Sequence, residues 1–162
     1  MFICCLILFL GCKEPKEEIL IGKTTELELR QAPFSSWYLP NYEHYKIDGE
    51  EIMIIKPLLN DVEIKIFMGS WCSDSKREIP KFFKIMDRLD YSLKNIELIS
   101  MDREKTTPEN YEDGLNITNV PTFIFYKNGE ELNRVVEHPI ASLEKDMIKI
   151  LTSKEYKHAY SE

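Results

Sequence analysis

The sequence has few of the residues that build metal centres. It contains only three histidines and four cysteines in 162 residues, and three of those cysteines lie within the first twelve positions. Zinc and iron–sulfur sites need several such ligands at short, regular spacings. We therefore expect no metal site, and no other cofactor is expected.

Positive charge is also scarce. Lys and Arg number 21 against 28 Asp and Glu, which gives a net charge of −7, and no basic run stands clear of acidic residues. This balance argues against nucleic-acid binding. No internal repeat is present, and a hydrophobic content of 43% suits a single domain with a real core.

Long apolar runs are missing except at the start. Residues 1–10 are almost wholly apolar, too few to span a bilayer and typical of a signal peptide. Leu10-Gly11-Cys12 resembles a bacterial lipobox, although no Lys or Arg precedes the run and Phe9 replaces the usual leucine. We predict a signal peptide over 1–11 and lipidation of Cys12; an ordinary cleaved signal or a short anchor is the alternative.

The lipid would hold the protein on a membrane of the bacterial cell envelope, facing the periplasm or the exterior. Residues 12–30 are charged and are predicted to be a lipid-anchored tether. Residues 31–60 form an aromatic and helical extension, expected to pack over one edge of the core rather than to bind a partner. Asp48 and Glu51 have the spacing of a capping box that opens a helix there.

A compact α/β domain is predicted over residues 61–153. Periodicity and turn residues indicate the element order β-α-β-α-β-β-α. The predicted elements are a strand at 62–68, a helix at 73–91, a strand at 96–101, a short helix from Thr107 to about Asn116, a strand opened by proline at 120–126, a returning strand at 132–136 and a helix at 141–151.

The most informative motif lies between the first strand of this domain and its helix. There Cys72 meets a helix N-terminus, where unpaired N–H groups and the helix dipole favour a thiolate. Trp71-Cys72-x-x-Ser75 followed by Glu78 and Pro80 resembles the active site of the thioredoxin superfamily, nearest to its membrane-anchored TlpA-like branch. The family's second, resolving cysteine is replaced by Ser75.

The resemblance implies a thioredoxin-like fold, with a central mixed four-stranded sheet flanked by helices and an N-terminal extension. It makes Cys72 the nucleophile. It also implies that Pro121 is a cis proline beside the sulfur and that Val120 presents free backbone groups to an extended substrate. Trp71 is expected to shield one side of the thiol.

Four further residues are possible accessories. The carboxylate of Asp102 is expected either to reach the Trp71 indole or to be solvated. Asp74 opposes a nearby thiolate, whereas a hydrogen bond from Ser75 would favour it. Glu137 and His138 should approach the cis-proline loop, where relatives often have glycine, and His138 is either a base for Cys72 or a solvated side chain.

Two functions follow from this site. The first is a monothiol protein whose Cys72 forms mixed disulfides with protein or small-molecule thiols and disulfides. The second is a binding module that keeps the fold and has lost redox turnover. Ile66 favours the second, because thioredoxin has a buried, proton-carrying Asp at that position.

Overall fold

The computed structural model describes residues 18–161. The predicted signal peptide and the predicted lipidation of Cys12 lie outside the described residues. Between residues 18 and 161, no helix is both long enough and apolar enough to cross a membrane.

Five strands form one mixed sheet in the order β1-β3-β2-β4-β5. β2 lies in the centre, parallel to β3 and antiparallel to β4, while β1 and β5 are antiparallel to their neighbours. The strands are β1 Gly22–Thr24, β2 Val62–Met68, β3 Ile96–Ser100, β4 Thr122–Lys127 and β5 Glu130–Val136. The predicted mixed α/β architecture is confirmed, but the sheet has five strands instead of four.

Five α-helices and one 3-10 helix, Leu93–Asn95, complete the described chain. The α-helices are α1 Glu26–Leu29, α2 Ser35–His44, α3 Gly49–Leu58, α4 Ser73–Leu89 and α5 Leu143–Leu151. The side chain of Asp48 caps α3, as predicted, by accepting hydrogen bonds from two backbone N–H groups. α4 ends at Asp90, whose left-handed backbone conformation stops the helix.

Alternating residues of β2 point into two separate cores. Ile64, Ile66 and Met68 pack with all five helices in the larger core. Phe67 packs on the opposite face in a smaller core that the loop between β3 and β4 covers. The carboxyl half of β2 is therefore buried on both faces, which explains why the sequence becomes fully apolar at the end of this strand.

The same strand directions determine where the site lies. The carboxyl ends of β2 and β3, the amino end of β4 and the carboxyl end of β5 all lie at one edge of the sheet. Cys72 follows β2, Pro121 precedes β4, and Glu137 follows β5. The topology thus brings three distant segments together.

The predicted tether over 12–30 is corrected in its second half. Residues 22–24 pair with β3, and Leu29 of α1 is completely buried. The pattern is too short to be recognised locally, because three strand residues and a four-residue helix carry almost no periodicity. This segment is part of the packed protein.

The predicted helix from Thr107 to Asn116 is wrong. The Thr107 side chain does accept a hydrogen bond from the Tyr111 N–H, as a helix cap would. The chain then turns instead of continuing, because Asn110 and Gly114 both adopt positive φ angles. A loop of successive turns therefore covers this face of the sheet.

Candidate functional site

Cys72 caps the amino end of α4, as the sequence predicts. Gly69, Ser70 and Trp71 form the turn between β2 and this helix, closed by a 2.9 Å hydrogen bond from the Cys72 N–H to the Gly69 carbonyl. The Cys72 side chain is half-buried and is a free thiol. This position places Cys72 at the positive end of the helix dipole.

The thiol also contacts the loop before β4. Its Sγ atom donates a hydrogen bond to the Val120 carbonyl oxygen, 3.2 Å away. The peptide bond between Val120 and Pro121 is cis, as predicted. The nucleophile and the cis-proline loop are therefore in direct contact, although 48 residues separate them in the chain.

Trp71 folds back over the turn that precedes it. A Cβ atom on Gly69 would lie only 2.6 Å from the Trp71 ring, so the indole rests against this glycine. The guanidinium of Arg103 stands 5.3 Å from the ring centroid on the Trp71 side chain. These contacts hold the indole against the turn that carries Cys72.

The proposed contact between Asp102 and Trp71 is not formed. The indole Nε1 donates instead to the Met101 carbonyl oxygen at 2.9 Å. Asp102 accepts hydrogen bonds from the backbone N–H and the hydroxyl of Thr106, and these bonds lower the pKa of its carboxyl group. Its carboxylate closes the following turn, because the backbone of that turn offers nearer donors than the indole.

Ser75 occupies the resolving position and is completely buried. Its hydroxyl accepts a hydrogen bond from the Gly69 N–H at 3.1 Å. Within residues 18–161, the Ser75 hydroxyl forms no hydrogen bond with the Cys72 sulfur, although one was expected. The serine stabilises the turn that carries Cys72, a role that a thiol would fill poorly because sulfur is a weak acceptor.

Asp74 does not face the thiol as an isolated negative charge. Its carboxylate lies 2.6 Å from the guanidinium of Arg77, one turn further along α4. Arg77 also donates to the buried Glu78 at 2.6 Å. Burial disfavours the Arg77 cation, but its hydrogen bonds to Glu78 and Asp74 prevail and raise its pKa.

Glu137 approaches the cis-proline loop as predicted. Its backbone N–H donates to the Pro121 carbonyl oxygen at 2.7 Å, and its carboxylate accepts a bond from the Asn119 side chain at 3.2 Å. His138 is half-exposed and lies 3.8 Å from the Glu137 carboxylate. In the described part of the chain, His138 forms no hydrogen bond with Cys72.

Two contacts at this edge were not predicted from the sequence. The Leu20 N–H donates to the Ser70 hydroxyl at 3.0 Å, which fixes the N-terminal segment to the turn before Cys72. The Tyr160 hydroxyl donates to the Glu137 carboxylate. No local sequence pattern predicts either contact. The two tyrosines in the otherwise polar C-terminal tail do indicate that the tail packs against the domain.

The geometry suits attack by a thiolate on a disulfide. The site supplies a helix N-terminus for the negative charge, one accessible sulfur, and a cis-proline loop whose backbone lies within hydrogen-bond distance. It holds one thiol, so a mixed disulfide cannot be resolved internally at position 75.

Comparisons with solved structures show the fold. A protein of unknown function from Pseudomonas aeruginosa aligns over 82% of this chain and 92% of its own, with a TM-score of 0.58 and 15% identity. An HIV epitope scaffold aligns over 82% of this chain and 84% of its own, with a TM-score of 0.55 and 14% identity. At such low identity, both share only the architecture.

Sequence comparisons are more specific. Thioredoxin Asp f 28 of Aspergillus fumigatus is 33% identical over 88 residues, which are 54% of this chain and 75% of that protein. The thioredoxin family profile matches residues 58–149, more than half of the chain. This range contains Cys72 and the cis-proline loop described above, and the chain therefore belongs to the thioredoxin family.

Proposed function

We propose that this protein is a lipid-anchored, TlpA-like monothiol thioredoxin of the bacterial cell envelope. Its single reactive thiol, Cys72, forms mixed disulfides with protein or small-molecule partners. The observation that carries the proposal is the position of Cys72, which is the N-cap residue of α4 and whose sulfur lies 3.2 Å from the Val120 carbonyl oxygen beside the cis-proline.

The reaction has two halves. The Cys72 thiolate attacks one sulfur of a partner disulfide, a new S–S bond forms, and the other sulfur leaves as a thiolate that takes up a proton. An external small thiol then attacks the Cys72 sulfur and releases the partner as a thiol. A second external thiol frees Cys72, and the two small thiols end as their disulfide.

Because residue 75 is a serine, the second half of the reaction, release of the partner, requires an external thiol. In a dithiol protein, the thiol at this position expels the product. Here the position carries a hydroxyl that is bonded to Gly69 and cannot form a disulfide. The partner therefore stays attached until a small thiol arrives.

Intact-mass measurement tests the proposal. The protein is incubated with oxidised glutathione and quenched in acid, and peptide mapping locates the adduct. We expect one glutathione on Cys72, removable by dithiothreitol. Cys72→Ser is the matched control, which also reports any reaction of Cys4, Cys5 and Cys12; a Cys72 that stays unmodified rejects the proposal.

The anchor is tested separately. Expressed in a bacterium, the full chain should partition with membranes and incorporate labelled fatty acid, because a small residue precedes Cys12 as in a lipobox. Cys12→Ala should lose both properties. If this variant still takes up fatty acid, the lipidation site is elsewhere.

A binding module without redox turnover is the second candidate. Ile66, fully buried where thioredoxin has a proton-carrying Asp, favours it, as does the Glu137 side chain at the cis-proline loop. The rate of Cys72 alkylation by iodoacetamide separates the two candidates. A rate well above that of free cysteine at the same pH supports the monothiol function, and a slower rate supports the module.

A further inference from the structure

The C-terminal tail returns to the edge of the sheet that carries the site. After α5, Tyr156 is buried, and its hydroxyl donates to Asp146 at 2.9 Å. The Tyr156 carbonyl accepts a bond from the Asn133 side chain of β5 at 3.1 Å. These contacts fix the tail beside the edge strand β5, on a path that leads toward Glu137.

The last described residues form a turn at the end of this path. The N–H groups of Tyr160 and Ser161 donate to the Nδ1 and the carbonyl oxygen of His158, at 3.2 and 3.0 Å. The phenol hydroxyl of Tyr160 donates to the Glu137 carboxylate. We call residues 157–161 the tail strap.

Glu137 connects the tail strap to the site. One of its carboxylate oxygens binds Tyr160 and the other accepts from Asn119, which lies directly before Val120 and Pro121. Its backbone N–H binds the Pro121 carbonyl oxygen at 2.7 Å. Tyr160 is thus two hydrogen bonds away from the loop that touches the Cys72 sulfur.

Tyr160 itself is accessible to solvent. Its side chain is 48% exposed, and its hydrogen bond to Glu137 raises the pKa of the phenol. A polypeptide that displaces the tail strap therefore has to break an exposed hydrogen bond.

From these contacts we infer that the tail strap limits the access of large partners to Cys72, through the bond between Tyr160 and Glu137. The inference rests on the proposed function, since it concerns which disulfides reach the same thiol. A small disulfide passes beside Tyr160, whereas an extended polypeptide that pairs with the cis-proline loop displaces the tail strap first. The observed rate for a polypeptide is therefore the rate of the open form multiplied by the fraction of molecules in which the tail strap is open.

Two probes of different size test the inference on the full chain. Iodoacetamide is the small probe. The large probe is a peptide whose cysteine carries a pyridyl disulfide, which releases a coloured thione as the Cys72 sulfur displaces it. Both rates are measured on the native protein and on Tyr160→Phe and Tyr160→Ala, with the rate of Cys72→Ser subtracted as background.

Tyr91→Phe is the matched control. It removes a tyrosine hydroxyl that also donates a hydrogen bond, to the Val62 carbonyl at the opposite edge of the sheet. Both Tyr160 variants should react roughly threefold to tenfold faster with the peptide, as expected for loss of one solvent-exposed hydrogen bond. Their reaction with iodoacetamide and both rates of Tyr91→Phe should match the native protein.

Unchanged peptide rates in both Tyr160 variants overturn the inference and leave the proposed function standing. Equal acceleration with both probes also overturns it, because the tyrosine would then act on the sulfur itself rather than on access. If Cys72 reacts with neither probe in the native protein or in any variant, the proposed function is overturned. The tail strap would then control access to no reactive thiol.

Discussion

The thiol of Cys72 donates its hydrogen bond to the Val120 carbonyl oxygen, 3.2 Å away. This contact joins the amino end of α4 to the loop that precedes β4. When the thiol loses its proton, the sulfur loses this bond and faces a carbonyl oxygen that repels it. The thiolate is thereby left accessible to a disulfide that approaches along the cis-proline loop.

The Gly69→Ala variant tests how tightly Trp71 packs against the turn before Cys72. In Gly69→Ala, the new methyl group would lie 2.6 Å from the Trp71 ring, so either the indole or the turn must shift. Overpacking of this kind destabilises by about 1–3 kcal/mol. Urea unfolding should show this loss, together with a change in tryptophan fluorescence.

Gly49→Ala is the control for that measurement. A Cβ at this position would meet no atom within 4 Å, and Gly49 is the first residue of a helix. This variant should be as stable as the native protein or slightly more stable. A native-like Gly69→Ala would show that Trp71 is not held against the turn.

Substitution of Leu29 tests whether the segment before residue 30 is packed on the folded domain. Leu29 is completely buried, and Leu29→Ala should lower the free energy of unfolding by about 2–5 kcal/mol. Leu27 lies two residues earlier in α1 and is 66% exposed, so Leu27→Ala should change stability by less than about 0.5 kcal/mol. Equal, small effects in both variants would mean that α1 is not packed on the domain.

Glu97 provides a pH-dependent contact across three strands. It binds Lys23 of β1 at 2.9 Å and Lys65 of β2 at 3.1 Å. Burial alone would raise the Glu97 pKa, but the hydrogen bonds from the two lysines prevail and hold it below the usual value of 4.5. Because the folded state has the lower pKa, this contribution is full above about pH 4.5 and is lost as the pH falls through the folded-state pKa.

Thermal unfolding between pH 7 and pH 3 measures this contribution. Glu97→Gln should lose up to about 1 kcal/mol near neutral pH, because the ion pairs are partly exposed, and should match the native protein at the acidic end. Glu63→Gln, an exposed carboxylate of β2, should follow the native pH profile. A constant difference across the pH range would exclude the ion pairs as its cause.

The sequence predicts the elements whose signals are local. The strand at 62–68 follows from alternating apolar residues, the helix from Ser73 follows from its apolar stripe, and the β4–β5 hairpin follows from Asn128 and Gly129. The contact between Cys72 and the cis-proline loop follows from the family resemblance. These predictions are confirmed because short-range periodicity or a motif determines each one.

The missed features depend on contacts between distant residues. β1 forms because Gly22–Thr24 pairs with β3, about 75 residues away, and three residues alone have no strand pattern. The Trp71 indole binds a backbone carbonyl rather than Asp102, and loop geometry decides between the two. Tyr160 reaches Glu137 only because α5 reverses the chain, which no local pattern reveals.

The lifetime of a mixed disulfide shows most directly whether Cys72 acts without a second protein thiol. A peptide is attached to Cys72 through a pyridyl disulfide, excess reagent is removed, and release of the peptide is followed by mass spectrometry without added thiol. The native protein should keep the peptide until glutathione is added. Ser75→Cys should release it unaided and form a disulfide between positions 72 and 75, which lie three residues apart in the first turn of α4.

A Ser75→Cys variant that keeps its peptide as long as the native protein does would show that the missing thiol at position 75 is not the reason that Cys72 acts alone. Release of the peptide from the native protein without any external thiol would show that Cys72 does not act alone.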